Sequence, residues 1–489
     1  MRRHCRRVGF GRWRFGLLSA AGILALAGFL AIAYAPPAEA LPSFARQTGQ
    51  PCGACHTDFA GLTPFGRRFK IGGYTMGGGS YRTTLFPSDD SGNGDKKDWV
   101  PPISMMAIAG FTNTQASLPP PSDPYKPNNN IVVSPISFFW GGAITDHIGA
   151  FAQVTYNAPP PGGFADPLGH TWTWDNTDVR YADSASLGGF SVTYGITANN
   201  NPTVQDPWNT TPAWAFPYAV STLGNGFGPT TAIDGAFAAH VGSVGAYAYI
   251  NDLLYLEASV YHTLPPTAQN DLGTDPFGSP GRLNVAPYWR AAFEPHWGDH
   301  WLEVGTFGMI ADVHPWSSPP TPPGTGVPIT FTFATFPQTV SFTDVGFDTQ
   351  YQYQGNNFWL TVRGSYIRET QFDPNLLLAA NTTSRLNEAR AYASLAYGND
   401  NRIVLTGQYF NTWGTSDPVL YSSNVNFSPN THGWIAEIAY IPFISSRAPG
   451  WPWFNARIGL QYIWYNEFNG TAVGASANNT LFAYLWLAM

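Results

Sequence analysis

Two thiols and an imidazole in the run Cys52-Gly53-Ala54-Cys55-His56 are the residues of this chain whose types and spacing most directly imply chemistry. C-x-x-C-H is the attachment pattern of a c-type haem: both thiols add to the haem vinyl groups, and the histidine takes an axial position on the iron. Two other readings use part of the run. A thioredoxin-like dithiol is expected beside a βαβ pattern, which is absent, and has no use for His56. A zinc site needs four ligands, and neither a second cysteine pair nor a nearby histidine accompanies these. Of the three cysteines, Cys5 falls in a leader, so Cys52 and Cys55 are the remaining pair. The expectation is one covalently bound haem c on Cys52 and Cys55, with His56 as proximal iron ligand.

The leader is read from residues 1–40. Six arginines lie within residues 2–14, residues 15–34 carry no charge, and Ala38-Glu39-Ala40 is a small-x-small cleavage pattern; together these make a secretory signal peptide cleaved after Ala40. An uncleaved anchor helix is the alternative. Arg6-Arg7 also admits a twin-arginine reading, but the general export route suits a chain that must cross the inner membrane unfolded. Without the leader the chain has 18 basic and 30 acidic side chains. That balance repels nucleic acid and attracts cations.

Over 489 residues only 11% are charged, while 15% are aromatic. A soluble domain carries about 25% charge, and a disordered chain is poor in aromatics. Beyond the leader no uncharged apolar run approaches the roughly 20 residues of a membrane helix, and mean hydropathy is −0.14;. An outer-membrane β-barrel fits all of this. Phe190, Val192, Tyr194 and Ile196 alternate with Ser191, Thr193, Gly195 and Thr197, apolar outward and polar inward. The same period places Glu257, Asp348, Gln350, Gln352, Arg363, Glu437, Arg457 and Gln461 on inner faces. About 16 strands are predicted, with long loops near 119–130, 158–170, 198–230 and 314–340. A soluble β-sandwich would have no reason for such loops or for the export signal. The fold class is therefore all-β, an antiparallel barrel over 102–489, with a haem segment at 41–85 and a polar, Gly- and Pro-containing linker at 86–101.

The haem segment has too few residues to hold a core without a staple or a partner. Its apolar side chains Phe44, Phe59, Leu62, Phe65, Phe69 and Ile71 cannot enclose a haem, so the segment is expected to plug the barrel lumen. The distal iron ligand is sought among Met76, Met105, Met106, Met309 and Met489, since methionine opposite histidine raises the reduction potential. Met106, at the start of the first strand, ranks ahead of Met76; core filling is the commoner role of either. His296, His300, Glu294 and Asp299 form a further polar group, read first as a rim cluster and second as a metal site.

Leu41-Pro42-Ser43-Phe44-Ala45-Arg46-Gln47-Thr48-Gly49-Gln50-Pro51 runs directly into the haem motif and is followed by Leu62-Thr63-Pro64-Phe65-Gly66-Arg67-Arg68-Phe69-Lys70. This stretch resembles the fused monohaem cytochrome-porin family, the outer-membrane iron-oxidising cytochromes. The resemblance resumes at Asn200-Asn201-Pro202-Thr203-Val204-Gln205-Asp206-Pro207-Trp208-Asn209-Thr210 and at Asn478-Asn479-Thr480-Leu481. One departure is the terminal Met489, where such barrels usually end in an aromatic residue. The resemblance implies an electron-transfer oxidoreductase in contact with outer-membrane lipid. Extracellular Fe(II) or another donor would yield an electron to a haem edge at the outer mouth, and a periplasmic carrier, a cytochrome or copper protein, would receive it. The alternative is a solute porin in which the haem segment is a structural plug or sensor.

Overall fold

The computed structural model describes residues 41–81, 83–84, 98–117, 125–156, 171–316 and 338–489. The predicted signal peptide, most of the linker, the loop at 158–170, and parts of the loops at 119–130 and 314–340 lie outside the described residues.

Among the described residues sixteen strands form one closed antiparallel barrel. They are β1 (Ile103–Thr114), β2 (Asn130–Ala143), β3 (Ile148–Tyr156), β4 (Trp172–Leu187), β5 (Phe190–Asn199), β6 (Val241–Ile250), β7 (Leu254–Thr263) and β8 (Ala286–Phe293). The second half comprises β9 (His300–Pro315), β10 (Val340–Gly355), β11 (Phe358–Phe372), β12 (Thr383–Tyr397), β13 (Arg402–Gly414), β14 (Thr431–Ile441), β15 (Asn455–Glu467) and β16 (Thr480–Ala488). Each strand pairs with the next, and β1 pairs with β16 from Met106 opposite Ala488 to Thr114 opposite Thr480. Two short ladders, Gly281–Leu283 and His296–Trp297, fold onto β9 as extensions of connecting segments. Closure leaves no open edge of unpaired backbone, the condition for a sheet to stand in lipid.

The period of two decides which face each residue takes. On β15, Arg457 and Gln461 are fully buried while Ile458 and Leu460 are 45% and 46% exposed. On β11, Val362 is exposed and Arg363 buried. The exterior is thus apolar and the interior charged, the architecture of an outer-membrane protein. One residue departs from the predicted pattern. Val192 lies in the outward row of β5 yet is only 9% exposed, a small side chain hemmed in by its neighbours Phe190 and Tyr194 and its cross-strand partners Ala185 and Ile250.

Connections alternate in length. Those at 144–147, 188–189, 251–253, 294–299, 356–357 and 398–401 are tight, and 442–454 is longer. At the other end every connection runs to ten residues or more. Short turns mark the periplasmic end and long loops the external one. The stretch predicted as a surface loop at 198–230 does something else: residues 200–240 fold into the lumen, where Val204, Trp208, Asp206 and Ile233 are fully buried. Charged wall residues draw it in, as detailed below.

Cysteines placed singly at Tyr194, Val362, Ile458 and Leu460 are expected to react with a membrane-soluble thiol reagent in vesicles, while cysteines at Arg363, Glu437 and Arg457 are spared. A reversed pattern would mean a register shifted by one residue.

Candidate functional site

The motif occupies a single helical turn between two longer helices. Pro42–Thr48 forms α1, Cys52–Cys55 forms α2 and Pro64–Ile71 forms α3. Pro51 sets the extended entry into α2, and His56 N–H donates to the Cys52 carbonyl at 2.9 Å. Thr63 caps α3: its hydroxyl accepts from Gly66 N–H at 3.2 Å and donates to the Ala54 carbonyl at 2.5 Å. Gly66 permits this approach, because a Cβ there would stand 2.3 Å from the Cys55 carbonyl oxygen.

The barrel wall holds the turn in place. Gly53 N–H donates to the Ile444 carbonyl in the 442–454 connection at 2.9 Å. Arg402, the first residue of β13, donates to the carbonyls of His56, Thr57 and Gly53. Further along the segment, Asp58 pairs with Arg457, which also pairs with Glu437. Arg67 pairs with Glu294 and donates to Gln352 at 2.6 Å. Tyr74 donates to Asp178 at 2.7 Å. Residues 41–74 are therefore bound through inward-facing side chains of β4, β10, β13 and β15, together with Glu294 just beyond β8.

The in-folded loop covers the segment from the other end. Lys70 donates to the carbonyls of Val204 and Asp206 at 2.7 and 2.8 Å. Asp206 accepts from the N–H groups of Trp208, Thr210 and Thr211 and pairs with Arg290 at 3.1 Å. Higher in the lumen the N–H groups of Thr231, Ala232 and Ile233 go in turn to Glu388, Glu369 and Asp344 on three adjacent strands. Segment and loop thus share one charged frame.

Between them remains a cavity of 370 Å³, within the range of small-molecule and cofactor sites. Cys52, Cys55 and His56 line it, facing aromatic walls that include Phe44, Trp214, Tyr218 and Trp486. Both thiols are free, and the buried Nδ1 of His56 has no hydrogen-bond partner. Burial pushes the imidazole down to about 4 and the Cys55 thiol up to about 12, and raises the Cys52 thiol as well. A neutral imidazole is the form that ligates a metal. Unpaired thiols, an orphaned ring nitrogen and an aromatic chamber are what a covalent haem requires, so the residues present fit it.

The other sequence-predicted residues divide. Met106 lines the same cavity. Met76 is 38% exposed, its carbonyl accepting from the Gln47 side chain at 2.9 Å. Met309 is buried in an apolar cluster with Ile233 and Phe237, and Met105 and Met489 meet at the barrel seam. The predicted polar group is dispersed: Glu294 points inward to Arg67, His296 and Asp299 are exposed, and the His300 ring stacks 4.6 Å from Tyr353 on the outer face. Among the described residues no three His, Cys, Asp or Glu side chains gather to hold a metal ion.

The motif stands at the end of the lumen opposite the outer mouth, where the haem edge was expected. Its wall contacts are Arg402, at the start of β13, and Ile444, both at the short-turn end. There the backbone of Gly53 and Ala54 lines a second cavity of 880 Å³ with Phe65, Trp301, Trp359 and Arg447. The sequence offered no signal for this choice of end, because it depends on which connection meets the segment.

No family model matches the chain, and comparison with curated proteins returns no match. Solved structures do match. A loop-deletion variant of OmpT from Vibrio cholerae is 11% identical, with 79% of this chain and 98% of that chain covered and a TM-score of 0.40. OprB from Pseudomonas putida is 12% identical, with 83% and 98% covered and a TM-score of 0.42. OmpF from Salmonella typhi, in complex with daunomycin, is 11% identical, with 79% and 97% covered and a TM-score of 0.41. The barrel described above rests on its own strand pairing.

Proposed function

We propose that this chain is an outer-membrane electron-transfer cytochrome-porin, in which Cys52 and Cys55 would hold one haem c and His56 would ligate its iron. The reading includes oxidation of extracellular Fe(II), or another donor, and delivery of the electron to a periplasmic carrier. The observation that carries it is the convergence of two free thiols and a neutral imidazole on one aromatic cavity inside a filled lumen. A haem bound there supplies one-electron redox chemistry at its iron.

The chain's own residues position, insulate and connect. Arg402 and Ile444 fix the motif's backbone against the wall, and Met106, which lines the same cavity, is the side chain that would supply a second iron ligand. Phe59 and Trp486, with ring centroids 5.7 Å apart, help exclude water from the His56 side. The carrier is assigned to the short-turn end, where Gly53 and Ala54 border the 880 Å³ mouth. The donor is assigned to the long-loop end, with the in-folded loop and the segment as the intervening medium. A solute-channel reading is disfavoured by that same filling, since a 16-stranded barrel conducts only when its lumen is open.

Anaerobic addition of Fe(II) to the purified protein is expected to produce the absorption bands of a reduced c-type haem, with a midpoint potential well above that of bis-histidine ligation. For a one-electron couple each ~59 mV shifts the equilibrium tenfold, so a low potential without reduction would overturn Fe(II) as the donor. High ion conductance of the intact protein in a planar bilayer would favour the solute channel instead.

A further inference from the structure

The outer wall carries two arginines with no acidic partner among the described residues. Arg368 on β11 and Arg385 on β12 are exposed, and each falls in the outward row of its strand, in step with Val362 and Leu395. Arg368 stands opposite Asn387 and Arg385 opposite Thr370. The two arginines are therefore diagonal neighbours on one face, about 7–8 Å apart at the backbone. Glu369 and Glu388 on the same strands turn into the lumen and are occupied there by the in-folded loop.

Their height on the wall is informative. β11 ends at Phe372 and β12 begins at Thr383, so both arginines lie toward the long-loop end. Beside them Tyr366 and Trp413 pack with ring centroids 6.1 Å apart, and the Tyr366 hydroxyl donates to Asn387 at 2.8 Å. Further along the same outer surface come Tyr409, Trp434 and Trp464. Tyr and Trp belts mark the level where hydrocarbon gives way to headgroups. A lipid-facing arginine is costly at mid-membrane and tolerated at the interface, and there the nearest abundant counter-charge is phosphate. The guanidinium fork matches phosphate oxygens in paired hydrogen bonds.

We propose that Arg368 and Arg385 bind a phosphate-bearing lipid headgroup of the outer leaflet, with Tyr366 and Trp413 seated at its acyl boundary. This site is independent of the haem reading and needs only the membrane-spanning barrel.

The test uses the full-length protein in detergent micelles, titrated with bisphosphorylated lipid A, with the same lipid enzymatically dephosphorylated, and with inorganic phosphate. Intact protein is expected to bind the phosphorylated lipid and to lose at least about tenfold in affinity in the Arg368→Gln, Arg385→Gln double variant. Dephosphorylation of the lipid should produce a similar loss. Heat-modifiable migration on a gel confirms that the variant barrel is folded. Unchanged lipid binding by a folded double variant overturns the proposal, as does inorganic phosphate binding as tightly as the lipid.

Discussion

Protein in which Cys52 and Cys55 are both replaced by alanine is expected to reach the membrane without any haem stain on a denaturing gel. The effect should be all-or-none, because a haem that survives denaturation is held by thioether bonds, and apart from Cys5 these two thiols are the chain's only ones. Each single variant retains one possible bond and should stain more weakly than the intact protein. A stain that persists in the double variant would sink the haem assignment outright. The double variant also bears on the lumen: the alanine methyl groups leave the 370 Å³ chamber unfilled, while the contacts of Arg402, Asp58 and Arg67 remain. Retention of the segment with loss of the stain would separate attachment chemistry from docking.

Docking itself should fail when Arg457 is replaced by alanine. This guanidinium is fully buried and joins Asp58 of the segment to Glu437 of the wall. Its removal leaves two carboxylates out of water with no cation between them. Breaking a buried ion pair in this way costs about 3–5 kcal/mol. The barrel, held by its continuous ladder, should survive. The segment should become cleavable by trypsin after Arg67, Arg68 or Lys70, and bilayer conductance should rise. Replacing the whole triad, as Arg457→Leu with Asp58→Asn and Glu437→Gln, is expected to cost much less, since no charge is stranded. Equal protease resistance in the Arg457→Ala protein and the intact one would mean that the segment is held elsewhere.

Much of this architecture is legible in the chain. Strict alternation in stretches such as 345–354 and 454–465 reports a wall with lipid on one side and a polar interior on the other, and the buried carboxylates and arginines fall where that period puts them. The C-x-x-C-H run states its own chemistry. The partners of the inward charges are another matter: Asp58 and Arg457 are separated by 399 residues, and no local pattern links them. The loop at 200–240 is illegible for a related reason. Val204, Trp208, Phe216 and Phe237 are buried without a sustained helical or strand period, because their environment comes from the far walls of the barrel rather than from neighbours in sequence. Its prolines, asparagines and glycines correctly report irregular backbone but not the direction in which it travels.

The seam between the first and last strands carries a consequence for biogenesis. Met105 and Met489 exchange both backbone hydrogen bonds, at 2.5 and 2.6 Å, extending the ladder that closes the wall between β1 and β16. Once the wall is closed, Cys52 and Cys55 face a chamber inside it, while the backbone of their own turn, at Gly53 and Ala54, borders the short-turn mouth. A rigid macrocycle arriving from that mouth would have to pass the turn itself to reach the thiols. On the haem reading, attachment belongs to the unfolded export intermediate in the periplasm, and the insertion machinery receives a chain already loaded with its cargo. Maturation then has a fixed timetable, in which cofactor ligation precedes membrane assembly and a late haem supply yields barrels that can never be repaired.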